Sequence, residues 1–187
     1  MMSSTAAEDV LQAQCATQDR ATLRQRFDHL LAQEGAALVR LAGSYTNSAG
    51  DRDDLLQEIA LAVWQALPRF RGECSERTFL FRIAHNRAVD SLAHTRSRQR
   101  TSESEPKHDL PDPRPSPEAD LVVEQQRERL LQSIRLLPVP FRQVVTLTLE
   151  GLEYTEIAQV LGISESNVGA RLSRAREMLR RSMEVSK

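Results

Sequence analysis

The sequence predicts an all-α fold: two small helical domains joined by a flexible Pro/acid-rich linker. Three observations lead there. Outside one segment, apolar residues recur at steps of three and four, the spacing that lines one face of a helix, rather than alternating as in a strand. That one segment, TSESEPKHDLPDPRPSPEAD at 101–120, holds five prolines and six acids against two bases. It has too little apolar matter to bury a core, so it reads as an extended, mobile linker. Near the C-terminus, a short helix, a Gly-containing turn and a second helix make a helix-turn-helix pattern. The expected layout is an N-terminal arm at 1–22, a first domain at 23–100, the linker at 101–120 and a second domain at 121–187.

Each element follows from local chemistry. Residues 1–22 are polar with weak pattern and are expected to form a mobile arm. Leu23, Phe27, Leu30, Leu31, Leu38 and Leu41 then recur at helical steps, and GSYTNSAG at 43–50 is loop chemistry. Asp51 to Asp54 open a second helix, where exposed N–H groups and the dipole favour acid; Leu56, Ile59, Val63, Ala66 and Leu67 form its stripe, and Pro68 closes it. RFRGEC at 69–74 is a loop around Gly72, and a third helix is expected from Ser75 or Glu76 to Ser97. Beyond the linker, Leu121 to Leu136 form a helix that breaks at LLPVP, and Pro140 starts the next, as proline does in a first turn. Glu150-Gly151 ends that helix. Tyr154, Ile157, Ala158 and Leu161 mark a short amphipathic helix, Gly162 a turn, and Val168, Leu172, Ala175 and Leu179 the last helix.

Composition narrows the function classes. The 187 residues are 40% hydrophobic, 27% charged and 4% aromatic, ordinary for a soluble helical protein and too apolar for global disorder. No apolar run is long enough to span a membrane, and MMSSTAAEDV lacks the regions of a signal peptide, so the expected location is the cytoplasm, with no membrane contact of its own. Cys15 and Cys74 stand far apart, form no metal-ligand cluster and read as free thiols. No histidine has a Ser, Cys or carboxylate partner at a recognisable spacing, and no phosphate-cradling Gly loop exists. An enzyme, a cofactor and a metal site are therefore not expected. The net charge of −1 hides two basic blocks: eight arginines within 69–100 and five within 171–181.

In the helix-turn-helix, Ser164 sits at the N-cap position and the last helix starts at Glu165. Val168, Leu172 and Ala175 must face the preceding helix, which leaves Glu165, Ser166, Asn167, Ala170, Arg171 and Arg174 on the outer side. Early residues of such a helix can pair with base edges in the major groove, whereas Arg176, Arg180 and Arg181, lying later, suit phosphates. Arginines near a helix C-terminus also suit the dipole, so a merely solvated end stays open on local grounds. Asp54, Gln57, Glu58 and Leu61 share one side of the second helix: a solvated face by default, or a docking face hinted at by an exposed Leu61 and Trp64. The stretch RFRGECSERTFLFRIAHNRAVD at 69–90 interleaves arginine with Phe70, Phe79 and Phe81, which suits either unstacked bases or a core.

These blocks, in this order, resemble the bacterial sigma-70 family, specifically its small extracytoplasmic-function (ECF) sigma factors. DRDDLLQEIALAVWQALPRFRGECSERTFLFRIAHNRAVDSL is similar to sigma domain 2, and LPVPFRQVVTLTLEGLEYTEIAQVLGISESNVGARLSRAREMLR to sigma domain 4. The resemblance implies a dissociable subunit that directs core RNA polymerase to a subset of promoter DNA, with an anti-sigma factor as a further partner. It implies that Asp54, Leu55, Gln57 and Glu58, with Leu61, dock on core polymerase. It implies that Arg71, Ser75, Thr78, Phe81, Arg82, His85 and Asn86 recognise and open the −10 element. It also implies that Glu165, Ser166, Asn167, Arg171, Arg174 and Arg176 read the −35 element, and that the linker threads through polymerase. The alternatives are a sigma-like adaptor that sequesters an anti-sigma factor and a stand-alone helix-turn-helix regulator. The chain departs from the family pattern with Phe79 where Trp is common, a diluted basic run LAHTRSRQR, and Gly169-Ala170 where Lys-Ser usually precedes the Arg at 171.

Overall fold

A computed structural model describes residues 4–101 and 118–185, with side chains for 20–95 and 125–184. Among the described residues seven helices follow one another: α1 Ser4–Gly43, α2 Ala49–Ala66, α3 Glu76–Thr101, α4 Glu118–Leu136, α5 Val139–Leu149, α6 Tyr154–Leu161 and α7 Glu165–Val185. One 3-10 turn, Leu67–Arg69, follows α2. The described residues include no strand. Most of the expected linker, 102–117, lies outside the described residues.

Helix ends are set by local chemistry. Ser48 caps α2, its hydroxyl accepting from the Asp51 amide at 3.0 Å. Ser164 caps α7 in the same way, accepting from the Asn167 amide at 3.3 Å. At the start of α6, Glu153 and Glu156 form a reciprocal capping box. Gly162 ends α6 at φ 65°, a left-handed conformation that favours a residue without Cβ, and so makes the turn of the helix-turn-helix.

Several boundaries differ from expectation: α2 starts at Ala49 rather than Asp51, α3 runs to Thr101 rather than Ser97, and α4 starts at Glu118, inside the expected linker. The segment expected as an arm is continuous with the first helix from Ser4 onward. It contains neither Gly nor Pro, so nothing in it stops a helix from extending backwards. Within the expected loop at 43–50, Ser44, Tyr45 and Thr46 are buried.

Helices α1, α2 and α3 pack around Leu38, Leu41, Leu55, Ile59, Val63, Leu80, Phe81 and Ala84, all removed from water. Helices α5, α6 and α7 pack around Val144, Leu147, Ile157, Val160, Val168, Leu172 and Ala175, with α4 against α5 and α7. The two units then meet. Helix α6 lies along α3: Thr78 meets Glu156 near the start of each, and His85 and Val89 face Val160 and Leu161 further on. Buried apolar residues form one cluster that continues across both units.

Candidate nucleic-acid interface

Helix α7 turns its apolar stripe inward. Val168, Leu172 and Ala175 are buried against α5 and α6, as their spacing requires. Glu165, Ser166, Asn167, Ala170, Arg174 and Arg176 are exposed, and Arg171 is half-buried. The outer side thus offers carboxylate, hydroxyl, amide and guanidinium groups, a set able to pair with base edges and phosphates. The later arginines are partly neutralised, because Arg180 and Arg181 both bond the Glu177 carboxylate. Gly169 faces the ring of Tyr154. A Cβ built there would sit 3.6 Å from that ring, an ordinary contact, so close approach is not what requires glycine.

The −10 candidates on and before α3 divide into two groups. Arg71, Ser75 and Asn86 are exposed. Thr78, Phe81 and His85 are 1%, 0% and 3% exposed, out of reach of any base in this arrangement. Ser75 and Thr78 have local duties. The Ser75 hydroxyl accepts from the Thr78 amide at 3.0 Å and lies 2.8 Å from the Thr78 hydroxyl, while Thr78 also donates to Glu156 at 3.3 Å. Phe81 belongs to the core, with the Arg77 guanidinium 5.2 Å above its ring. His85 lies 3.4 Å from the Tyr45 hydroxyl, and burial alone holds its pKa down to about 4, so it is neutral at physiological pH. Arg82 is half-buried with its Nε out of water and unbonded. The remaining aromatics pack on one another: Phe70 with Phe79 at 4.5 Å between ring centroids, and Phe27 with Trp64 edge-on at 5.3 Å.

On α2, Asp54, Gln57, Glu58 and Leu61 emerge on one exposed face at steps of three and four, with Leu61 58% exposed. Leu55, grouped with them by resemblance, is instead 1% exposed and holds α2 to the core. Trp64, expected to be exposed, is half-buried by its contact with Phe27.

Sequence reasoning missed the groups that join the two units. The Glu150 carboxylate is buried and takes the Arg40 guanidinium in a forked contact, Nη2 to Oε2 at 2.6 Å and Nε to Oε1 at 3.1 Å. That bond holds the Arg40 pKa above its ordinary value. The Glu150 carbonyl accepts from Arg77, whose Nε also reaches Glu34 at 3.0 Å. The Ser44 and Thr146 hydroxyls lie 3.2 Å apart, Arg135 donates to the Gly43 carbonyl at 3.0 Å, and the Arg142 guanidinium sits 5.6 Å over the Tyr45 ring. Burial pushes the Tyr45 hydroxyl pKa upward, and Arg142 opposes part of that rise. One signal was available beforehand. Glu150 closes a helix at the end where the dipole disfavours an anion, so it called for a cation from elsewhere.

Among the described residues, no helix is long and apolar enough to cross a membrane. Two family models match the chain: Sigma-70 region 2 over residues 30–101 and Sigma-70 region 4 over residues 127–179. The boundary between them falls at the α3–α4 connection. The chain is 32% identical over 180 residues to the RNA polymerase sigma factor CnrH of Cupriavidus metallidurans, covering 92% of each. It is 30% identical over 164 residues to the ECF RNA polymerase sigma-E factor of Escherichia coli, covering 83% of this chain and 85% of that one. Among solved structures, CnrH in complex with the cytosolic domain of CnrY matches with a TM-score of 0.67 at 26% identity, covering 88% of this chain and 91% of that one. The sigma factor RpoE of Bartonella quintana, in complex with the anti-sigma factor NepR, shares the fold with a TM-score of 0.68 at 21% identity, covering 87% and 99%.

Proposed function

This chain belongs to the ECF sigma factors of the sigma-70 family, and from that premise we propose that it binds core RNA polymerase and directs promoter-specific initiation. The observation that carries the reading is co-linearity. A region 2 match covers the end of α1 with α2 and α3, and a region 4 match takes in a helix-turn-helix whose second helix turns its polar side outward. In this reading α7 meets the −35 element as duplex, Glu165, Ser166, Asn167, Arg171 and Arg174 facing bases and Arg176 a phosphate. The −10 element is met by α3 and the loop before it, with Arg71, Ser75 and Asn86 the exposed groups and Arg82 half-buried. Asp54, Gln57, Glu58 and Leu61 form the face of α2 offered to core polymerase, an acidic rim around one apolar residue that suits a basic partner.

The chain performs no covalent chemistry in this scheme and works in the cytoplasm, where polymerase is. An anti-sigma factor is a further partner, by likeness to relatives solved in complex with CnrY and NepR. Run-off transcription with core polymerase, with and without the protein, on host genomic promoters tests the reading. Promoter-specific transcripts are expected only when the protein is added. Their absence, with folded protein and active core, sinks it.

A further inference from the structure

The loop between the 3-10 turn and α3 carries Arg71 and Ser75, two of the exposed groups assigned to the −10 element. It does little to hold its own shape. Gly72 turns it at φ 75°, and among the described residues no backbone hydrogen bond falls within 71–74. Its conformation is therefore set by where its two ends are held. The first end is Phe70, whose amide donates to the Leu67 carbonyl at 3.2 Å, and the second is the Ser75 cap of α3.

Helix α1 supplies one side chain that reaches both ends. The Arg26 guanidinium lies 5.4 Å from the centre of the Phe70 ring, over its face, and its Nε donates to Glu76 Oε1 at 2.6 Å. Phe70 in turn rests on Phe79, one turn along α3 from Glu76, with ring centroids 4.5 Å apart. The four side chains close a circuit that spans the loop, from Arg26 to Phe70, Phe79 and Glu76 and back to Arg26. A guanidinium can meet a ring and a carboxylate at once, so one arginine sets the distance between the residues on either side of the loop. All four side chains are half-buried, and those of Arg26 and Glu76 keep 38% and 40% exposure. An ion pair so open to water adds little to global stability. The circuit therefore bears on the shape of the loop more than on the fold.

We propose that Arg26 is a positioning residue for −10 recognition. By bridging Phe70 and Glu76 it holds the loop in the shape that presents Arg71 and Ser75 to the single strand, and it touches no DNA itself. The proposal rests on the sigma reading above. It adds a residue of α1, outside the loop and helix that meet the −10 element.

The test uses the full chain bound to core polymerase. Fluorescence anisotropy measures its affinity for a single strand carrying the −10 sequence mapped from the run-off transcripts, and for a scrambled strand of equal length. The ratio of the two affinities removes general phosphate attraction, which changes whenever a charge is altered. Arg26→Gln is expected to lower that ratio at least fivefold. Affinity for −35 duplex should stay within twofold of wild type, and the melting temperature of the free chain within about 3 °C. Glu76→Gln is expected to lower the ratio by a similar factor, and the double variant no further than either alone, because both changes break one circuit. An unchanged ratio in Arg26→Gln overturns the proposal. So do losses that multiply in the double variant, or a ratio that falls for Arg26→Gln but not for Glu76→Gln, since either makes Arg26 a direct contact to DNA. A −35 loss as large as the −10 loss also overturns it, leaving Arg26 a support of the fold. If the wild-type complex does not prefer the −10 strand, the −10 assignment fails and the proposal with it. If it does and Arg26→Gln matches it, only the positioning role fails.

Discussion

Helix α7 carries Ser166, Asn167 and Arg174 into solvent, whereas the matching side of α3 carries Thr78 and His85 into a seam. Both helices start from a serine hydroxyl cap, Ser164 for α7 and Ser75 for α3. The difference lies in their neighbours. Helix α7 packs mainly on helices of its own unit, while α3 sits between α1 and α2 on its own side and α6 from the far unit. A polar residue on a helix can therefore serve nucleic acid or close a seam with the same chemistry. A threonine hydroxyl that could meet a phosphate meets the Glu156 carboxylate instead.

The largest effect that could break this contrast is at Phe81. As a fully buried ring, it should cost about 3–5 kcal/mol of stability when changed to Ala, measured by urea unfolding. A variant of unchanged stability that fails only in promoter opening would make Phe81 a reader of bases after all.

Next comes His85, whose folded pKa is about 4 against an ordinary 6.5. Stability from its neutral form is present in full above pH 6.5, erodes as the unfolded chain takes up the proton, and is lost by about pH 4. The lowered pKa corresponds to roughly 3 kcal/mol across that window. Tyr45, Asp90 and Arg142 are the other titratable or charged groups around this joint. Comparing acid unfolding of the wild type with that of His85→Gln isolates the histidine from carboxylates titrating in the same range. A His85→Gln profile as steep as the wild type between pH 6.5 and 5 would place the histidine in water.

On the open side of the comparison, Arg174→Ala should weaken binding to −35 duplex by about 1–3 kcal/mol and relax sequence preference if the guanidinium pairs with a base. Arg180→Ala should lower affinity less, since that guanidinium already shares Glu177 with Arg181. Fluorescence anisotropy with matched and scrambled duplexes separates the two. Equal losses for both variants would mean that α7 attracts phosphates without reading sequence.

The smallest effect concerns Gly169. With room for a methyl group beside Tyr154 and helical backbone on both sides, Gly169→Ala should stabilise the protein by up to about 1 kcal/mol in thermal or urea unfolding. A loss of −35 affinity in that more stable protein would show that α7 needs a bare backbone where DNA approaches.

Much of the architecture was legible because its causes are local. The α6 limits Tyr154 and Leu161, the Gly162 turn and the Ser164 cap follow from groups within a few residues of one another. So does the inward stripe of Val168, Leu172 and Ala175. The α2 face was nearly as legible. Spacing alone grouped Asp54, Gln57, Glu58 and Leu61, and only Leu55, added by resemblance, proved to be core. The reading thinned where partners are remote. Nothing near Thr78 in the chain indicates that it will donate to Glu156, and nothing near Arg40 indicates Glu150.

By itself, then, the sequence determined the helices, their caps, the helix-turn-helix and the family, since periodicity and capping act within a turn or two of chain. Only the tertiary structure decided which polar residues face water. Arg40 and Glu150 are 110 residues apart, Ser44 and Thr146 102, and Thr78 and Glu156 78. Such pairs form only when two separately amphipathic units meet, and that meeting is what covers α3 and leaves α7 open.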